Sequence, residues 1–243
     1  PLAGSLWIFF LVLSVIIAPI WAFDLGEAQI RTSLRGKELQ TALLWLSHIL
    51  DITWVTVAAA IVYSESVRAV GIATARRWAL VVLAVSWVAA AASVRSGWPV
   101  GFLHFTGRLG FLLGSVSFGW LLLWCVVVLG GRELALTVFP RASHAAISVL
   151  VGSLAGLTDL SLEPLASKTR AWWLFLEKSP AIPLPGPIQS ALSWFLIATV
   201  LGWTMRGPTV VKRPASGLPK SAQVFLILHI LLLAAHLGRT LRS

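Results

Sequence analysis

Two carboxylates four residues apart, Asp159 and Glu163, close an apolar segment, and a tryptophan pair, Trp172 and Trp173, follows in the same stretch. Four-residue spacing on a helix places both acids on one face. There, one carboxyl can serve as a general acid beside an ionised partner, while neighbouring indoles stabilise a cation formed close by. Two other readings fit the same acids: they cap and solvate a helix end, paired with Lys168 or Arg170, or they contact a ligand or a subunit. The tryptophans read either as interfacial anchors or as the wall of a site for a flat, unsaturated ligand.

The other polar groups in apolar surroundings are few. His48 and Asp51, three apart, share a helix face and read as a hydrogen-bonded pair rather than a metal site, because no further histidine lies at ligand spacing. His104, His144, His229 and His236 are scattered. One such imidazole suffices to ligate the magnesium of a chlorophyll-type pigment, one kind of flat, unsaturated ligand.

The elements that must position these groups are membrane helices. Of 243 residues, 58% are hydrophobic and 12% charged, and the mean hydropathy is +0.87, values outside the range of water-soluble domains. The net charge of +10 comes from short Lys/Arg clusters between apolar runs, where such residues anchor helix ends at phospholipid headgroups; no basic stripe for nucleic acid is present. The single cysteine, Cys125, lies within an apolar run, so no intrachain disulfide can form. Thirteen tryptophans exceed what interfacial belts require.

Seven apolar runs predict an all-α, single-domain bundle of about seven transmembrane helices over residues 1–243, at 2–23, 41–62, 78–94, 111–130, 142–160, 187–203 and 221–237. Charged or Gly/Pro-rich links separate them, among them 63–77 and the Gly-Gly-Arg-Glu break at 130–133. Basic residues are balanced between the two sides, so the positive-inside rule sets no orientation. Alternation does place the links 95–110 and 160–187 on one face of the bilayer, together with the His48/Asp51 end of the second span. Gly152 and Gly156 supply small-residue spacing for close helix packing, and the alanines at 89–92 give the third helix a smooth face.

Three motifs lie in that region: SGWPVGFLHFTGRLG at 96–110, DLSLEP at 159–164 and PIQSALSWF at 187–195. In order and spacing they resemble the carotenoid hydratase family of membrane proteins, over residues 87–202. The resemblance implies an acyclic ψ-end carotenoid as substrate or ligand, with water as cosubstrate and no metal or nucleotide. Against the family pattern, a glutamate position falls at Ala90, two tyrosine positions at Leu103 and Phe105, an asparagine at Ser190 and a glycine at Ser193. Loss of polar positions with retention of Gly, Pro and Trp implies a non-catalytic, carotenoid-binding accessory subunit of a larger membrane assembly, such as a photosynthetic complex. The alternative is an active carotenoid 1,2-hydratase with Asp159 and Glu163 as its acids. Ligand contacts are expected from Ala90, Trp98, Phe102, Phe105, Trp172, Trp173 and Trp194, with the polyene along the alanine face of the third helix. A bacterial cytoplasmic membrane is the expected location, and the bilayer, a carotenoid and other membrane subunits are the expected partners. A small transporter is a weaker reading, since no inverted repeat is visible.

Overall fold

Helices carry most of the backbone in a computed structural model of the chain, which describes residues 2–23, 36–176, 184–206 and 217–241. They are α1 (Leu2–Ala22), α2 (Lys37–Val70), α3 (Ile72–Ser96), α4 (Phe118–Val138), α5 (His144–Thr169), α6 (Gly186–Thr204) and α7 (Lys220–Thr240). All but α6 are both long and apolar enough to cross a membrane. The protein is an all-α integral membrane protein with only small sheets. The 19-residue α6 falls short in apolarity because it carries Gln189, Ser190, Ser193 and Thr199, and it lies against α5.

Several boundaries differ from the hydropathy reading, each for a local reason. The charged stretch 63–77 is helical on both sides of Gly71, whose φ of 83° separates α2 from α3; it carries an Arg68–Glu65 ion pair at 2.6 Å, three residues apart on one face. The segment before α4 is a hairpin of two short strands, β2 (Leu112–Leu113) and β3 (Val116–Ser117). The Gly-Gly-Arg-Glu sequence lies inside α4, its first glycine closing a π-helical turn at Val126–Gly130. Its glycines are there for contact rather than for a turn, since a Cβ on Gly130 would sit 3.1 Å from the Ser221 carbonyl of α7. The charges are buried and paired: Arg132 lies 3.1 Å from Glu133 and 4.6 Å over the Trp78 ring.

Close packing of α5 on α6 uses the predicted small residues. A Cβ on Gly152 would collide with the Thr199 hydroxyl and the Phe195 carbonyl, and one on Gly156 would reach within 3.0 Å of the Ala191 carbonyl. Helix α5 does not stop at its acids but continues through Pro164 as a π-helical turn, Pro164–Thr169. The two links assigned to one face meet directly. Strand β1 (Leu103–Phe105) pairs antiparallel with β4 (Trp173–Phe175), in the register Leu103 to Phe175, His104 to Leu174 and Phe105 to Trp173. Basic residues Arg31, Arg35, Lys178, Lys212, Arg213 and Arg242, part of the charge balance above, lie outside the described residues.

Candidate active site

The site is assembled from the two paired links and the ends of α5 and α6. Helix α3 ends at Gly97, in the left-handed conformation with φ 73°; the Phe102 ring covers it so closely that a Cβ would lie 2.6 Å away. Side chains of α6 hold the turn that follows. Gln189 Nε2 donates to the carbonyls of Gly97 at 2.8 Å and Pro99 at 2.9 Å, and Ser193 Oγ donates to the Pro99 carbonyl at 2.6 Å. From the other side, Val100 N–H donates to Ser93 Oγ at 2.9 Å. The β4 link is fixed by Thr106, whose hydroxyl donates to the Ala171 carbonyl at 2.5 Å. Ala171 itself has φ 47°, unusual for a residue with a Cβ, and it turns the chain from α5 into the tryptophan pair.

Two acid centres lie beneath this lid, and they are satisfied very differently. Asp51, fully buried in α2, receives Arg170 Nη2 at 2.7 Å and Nε at 2.8 Å, Trp172 Nε1 at 2.9 Å and Trp21 Nε1 at 3.1 Å. It is a buried ion pair with every strong donor aimed at it. Glu163, 6% exposed, accepts from Trp173 Nε1 at 3.2 Å and from the Ser167 hydroxyl. Asp159, one turn earlier and 1% exposed, has no well-formed hydrogen bond to either carboxylate oxygen among the described residues. The Ser190 side chain of α6 is the polar group that faces it, with a hydrogen bond too loose in geometry to satisfy either oxygen fully.

An indole cluster adjoins Glu163 through Trp173. Trp173 meets Trp120 edge to face at 4.8 Å, Trp120 meets Trp194 at 5.2 Å, and Trp194 leans on Trp124 at 4.4 Å. Phe105 closes the cluster against Trp120 at 5.3 Å. The buried N–H groups of Trp120, Trp124 and Trp194 have no partner among the described residues. Ser190 and Trp194 are four apart on α6, so the hydroxyl facing Asp159 and the indole wall share one helix face. Unpaired buried polar groups are uncommon in native structures; Trp78 Nε1 and Ser221 Oγ are the other two among the described residues.

A family model described as carotenoid biosynthesis protein matches residues 45–241. The chain belongs to the carotenoid biosynthesis protein family. Searches among curated proteins and among solved structures returned no match. The match takes in both acid centres and leaves out α1, which contributes Trp21.

Within this member of the carotenoid biosynthesis protein family, the residues singled out in the sequence divide into three places. Trp173, Trp194 and Phe105 gather around Trp120, with Glu163 joined to them through Trp173 and Asp159 beside Glu163. Trp172 stands 6.1 Å from Trp173, on the Asp51 side. Trp98, 59% exposed, lies on an open apolar groove of about 410 Å³ with Val85, Leu192, Leu196 and Val200. A second hollow of about 320 Å³ extends that groove over Ala89 and Ala92. Ala90 is not on the groove; it is fully buried in the core, because its side chain points away from the face its neighbours share. Phe102 serves the Gly97 turn.

Three expectations need correction. The acids do not cap a solvated helix end, because α5 runs on beyond them and both are buried. Arg170 pairs with Asp51 and not with Asp159 or Glu163. Asp51 is therefore the counter-ion of an arginine. Trp172 and Trp173, each 1% exposed, are internal donors to carboxylates and not interfacial anchors. Sequence reasoning missed Trp120, the hub of the indole cluster; only its position in an apolar run next to a second tryptophan, Trp124, could have drawn notice. Three of the scattered histidines have local partners: His144 with the Trp203 carbonyl, His229 with Thr158 and His236 with the Ser161 carbonyl.

Proposed function

We propose that this chain hydrates the terminal double bond of an acyclic carotenoid end, with Asp159 as proton donor. The observation that carries this reading is the pair of buried Asp159 oxygens that no well-formed hydrogen bond satisfies among the described residues, one turn from Glu163 and its indole partner Trp173. A carboxyl held for structure would be hydrogen-bonded, as Asp51 is. In its protonated form Asp159 delivers its proton to the less substituted alkene carbon, forming a C–H bond and leaving a tertiary cation. The faces of Trp120, Trp173 and Trp194 supply the negative potential that stabilises such a cation. Water attacks the cation to form the C–O bond, its surplus proton passes to the Glu163 carboxylate, and Glu163 returns a proton to Asp159 one turn away. One water is added, no electrons enter or leave, and no cofactor is used.

A second reading is favoured by a separate observation. The groove along α3 and α6 ends at Trp98, and the position of the family's glutamate is a buried alanine, Ala90. On that reading the chain holds a carotenoid, or a chlorophyll-type pigment, without turning it over, as an accessory subunit in a bacterial inner-membrane assembly. Expression in a host that accumulates lycopene separates the two. The first reading requires hydroxylated product from the parent and its loss in Asp159→Asn, with the variant recovered in the membrane at parental yield. Product undiminished in that variant removes Asp159 from the mechanism. Lycopene bound but unhydrated by the folded parent overturns the first reading in favour of the second.

A further inference from the structure

A second groove, separated from the one at Trp98 by the ridge of Ala84 and Val88 on α3, has a different chemical character. Helices α2, α3 and α4 leave a hollow of about 390 Å³ between them, floored by Ala59, Ala60, Ala79 and Cys125 and bounded at one end by Tyr63 and Arg76. Through Leu80 and Leu83 it continues into a shallower trough of about 590 Å³ that ends at Trp87. The Trp87 indole is fixed there by donating to the Leu113 carbonyl at 3.2 Å.

The polar end is built of two donors. Arg76 is exposed and Tyr63 half-buried, and neither has a hydrogen-bond or ion partner among the described residues. Arg68, nearby on α2, is already engaged with Glu65. Arg76 lies five residues after the Gly71 break, near the start of α3, which is the depth of a membrane surface. From Arg76 to Trp87 the helix rises about 16 Å, close to one leaflet of a hydrocarbon core roughly 30 Å thick.

We infer that this groove binds an anionic phospholipid, its phosphodiester held by Arg76 and Tyr63 and one acyl chain lying over the alanine floor towards Trp87. A guanidinium offers a phosphate paired, charge-assisted hydrogen bonds that a plain hydrocarbon or polyene cannot use. Small residues at Ala59, Ala60 and Ala79 leave room for a chain between helices that larger side chains would close. The inference is independent of the reaction at Asp159, which lies on α5, an element that contributes nothing to this groove.

Native mass spectrometry of the full-length chain in mild detergent tests it, with phosphatidylglycerol, phosphatidylcholine or inorganic phosphate added. Expected is one phosphatidylglycerol retained per chain in preference to phosphatidylcholine, and no displacement by millimolar inorganic phosphate. Arg76→Gln should weaken retention roughly ten- to hundredfold. Tyr63→Phe should weaken it less, and Ala60→Trp should abolish it with the arginine intact. Arg77→Gln, one residue away and off the groove, should retain lipid like the parent, and circular dichroism should show every variant folded. Equal losses in Arg76→Gln and Arg77→Gln would reduce the effect to general surface charge and overturn the site. Displacement by inorganic phosphate, retention of lipid in Ala60→Trp, or absence of any phosphatidylglycerol preference would overturn it equally.

Discussion

Removing the acid at the centre of the buried ion pair gives the sharpest test of how this bundle is held. Asp51→Ala leaves the Arg170 guanidinium, 2% exposed, without a counter-ion, and strands the indole N–H groups of Trp21 and Trp172. Breaking a buried pair by deleting one partner costs about 3–5 kcal/mol. Asp51→Asn keeps an acceptor for the indoles but not the charge, so it should fall between the parent and Asp51→Ala. Replacing both partners, as Asp51→Leu with Arg170→Met, removes the uncompensated charge. The double variant should therefore lose less than the two single variants together, by more than about 1 kcal/mol of coupling. The assay is reversible unfolding in mixed micelles by titration with a denaturing detergent, followed by circular dichroism. If Asp51→Ala stays within about 1 kcal/mol of the parent, or if the double variant equals the sum of the singles, the buried ion pair does not hold the bundle together.

Two further substitutions probe the frame around the candidate acid. Ala171→Gly removes a Cβ from a backbone at φ 47° and should raise stability by up to about 1 kcal/mol, whereas Ala171→Val should lower it; thermal unfolding of the two variants decides this. Gly152→Leu drives a side chain into Thr199 and Phe195, so it should part α5 from α6 and cost both monodisperse yield and any product that depends on Asp159. Gly4→Leu, at a glycine with open space around it, is the matched control and should change neither.

Apolar run length located the helices because a membrane span needs a long stretch of hydrocarbon side chains, and the paired links followed from alternation. What could not be read was where a charged or glycine-rich stretch stays helical. Gly130 and Gly131 look like a turn until the approach of Phe225 and Ser221 is known, and Arg132 looks like a surface residue until Trp78 and Glu133 enclose it. The acids at 159 and 163 were visible as chemistry, yet their burial was not, because Pro164 reads as a helix stop and here begins a π-helical turn. Arg170 had three carboxylates to choose from, and the choice of Asp51, 119 residues away, is a property of tertiary packing that no local pattern encodes. The lone intramembrane acid in α2 was the one available signal, since such a residue in an apolar span demands a partner.

That separation has a consequence for how the protein is made. When α2 emerges from the ribosome its aspartate has no arginine to meet, and at roughly 5–20 residues per second the wait is roughly 6–24 s. During that interval strand β1 also lacks β4, so its main-chain groups have no internal partners. The first five helices therefore enter the bilayer as an unfinished larger half, and the insertion machinery must shelter an acid and an open strand edge until the tryptophan pair arrives. Shortening the chain from its C-terminal side to a point before Arg170 should leave this half a substrate for membrane quality control, although every one of its helices is apolar enough to insert.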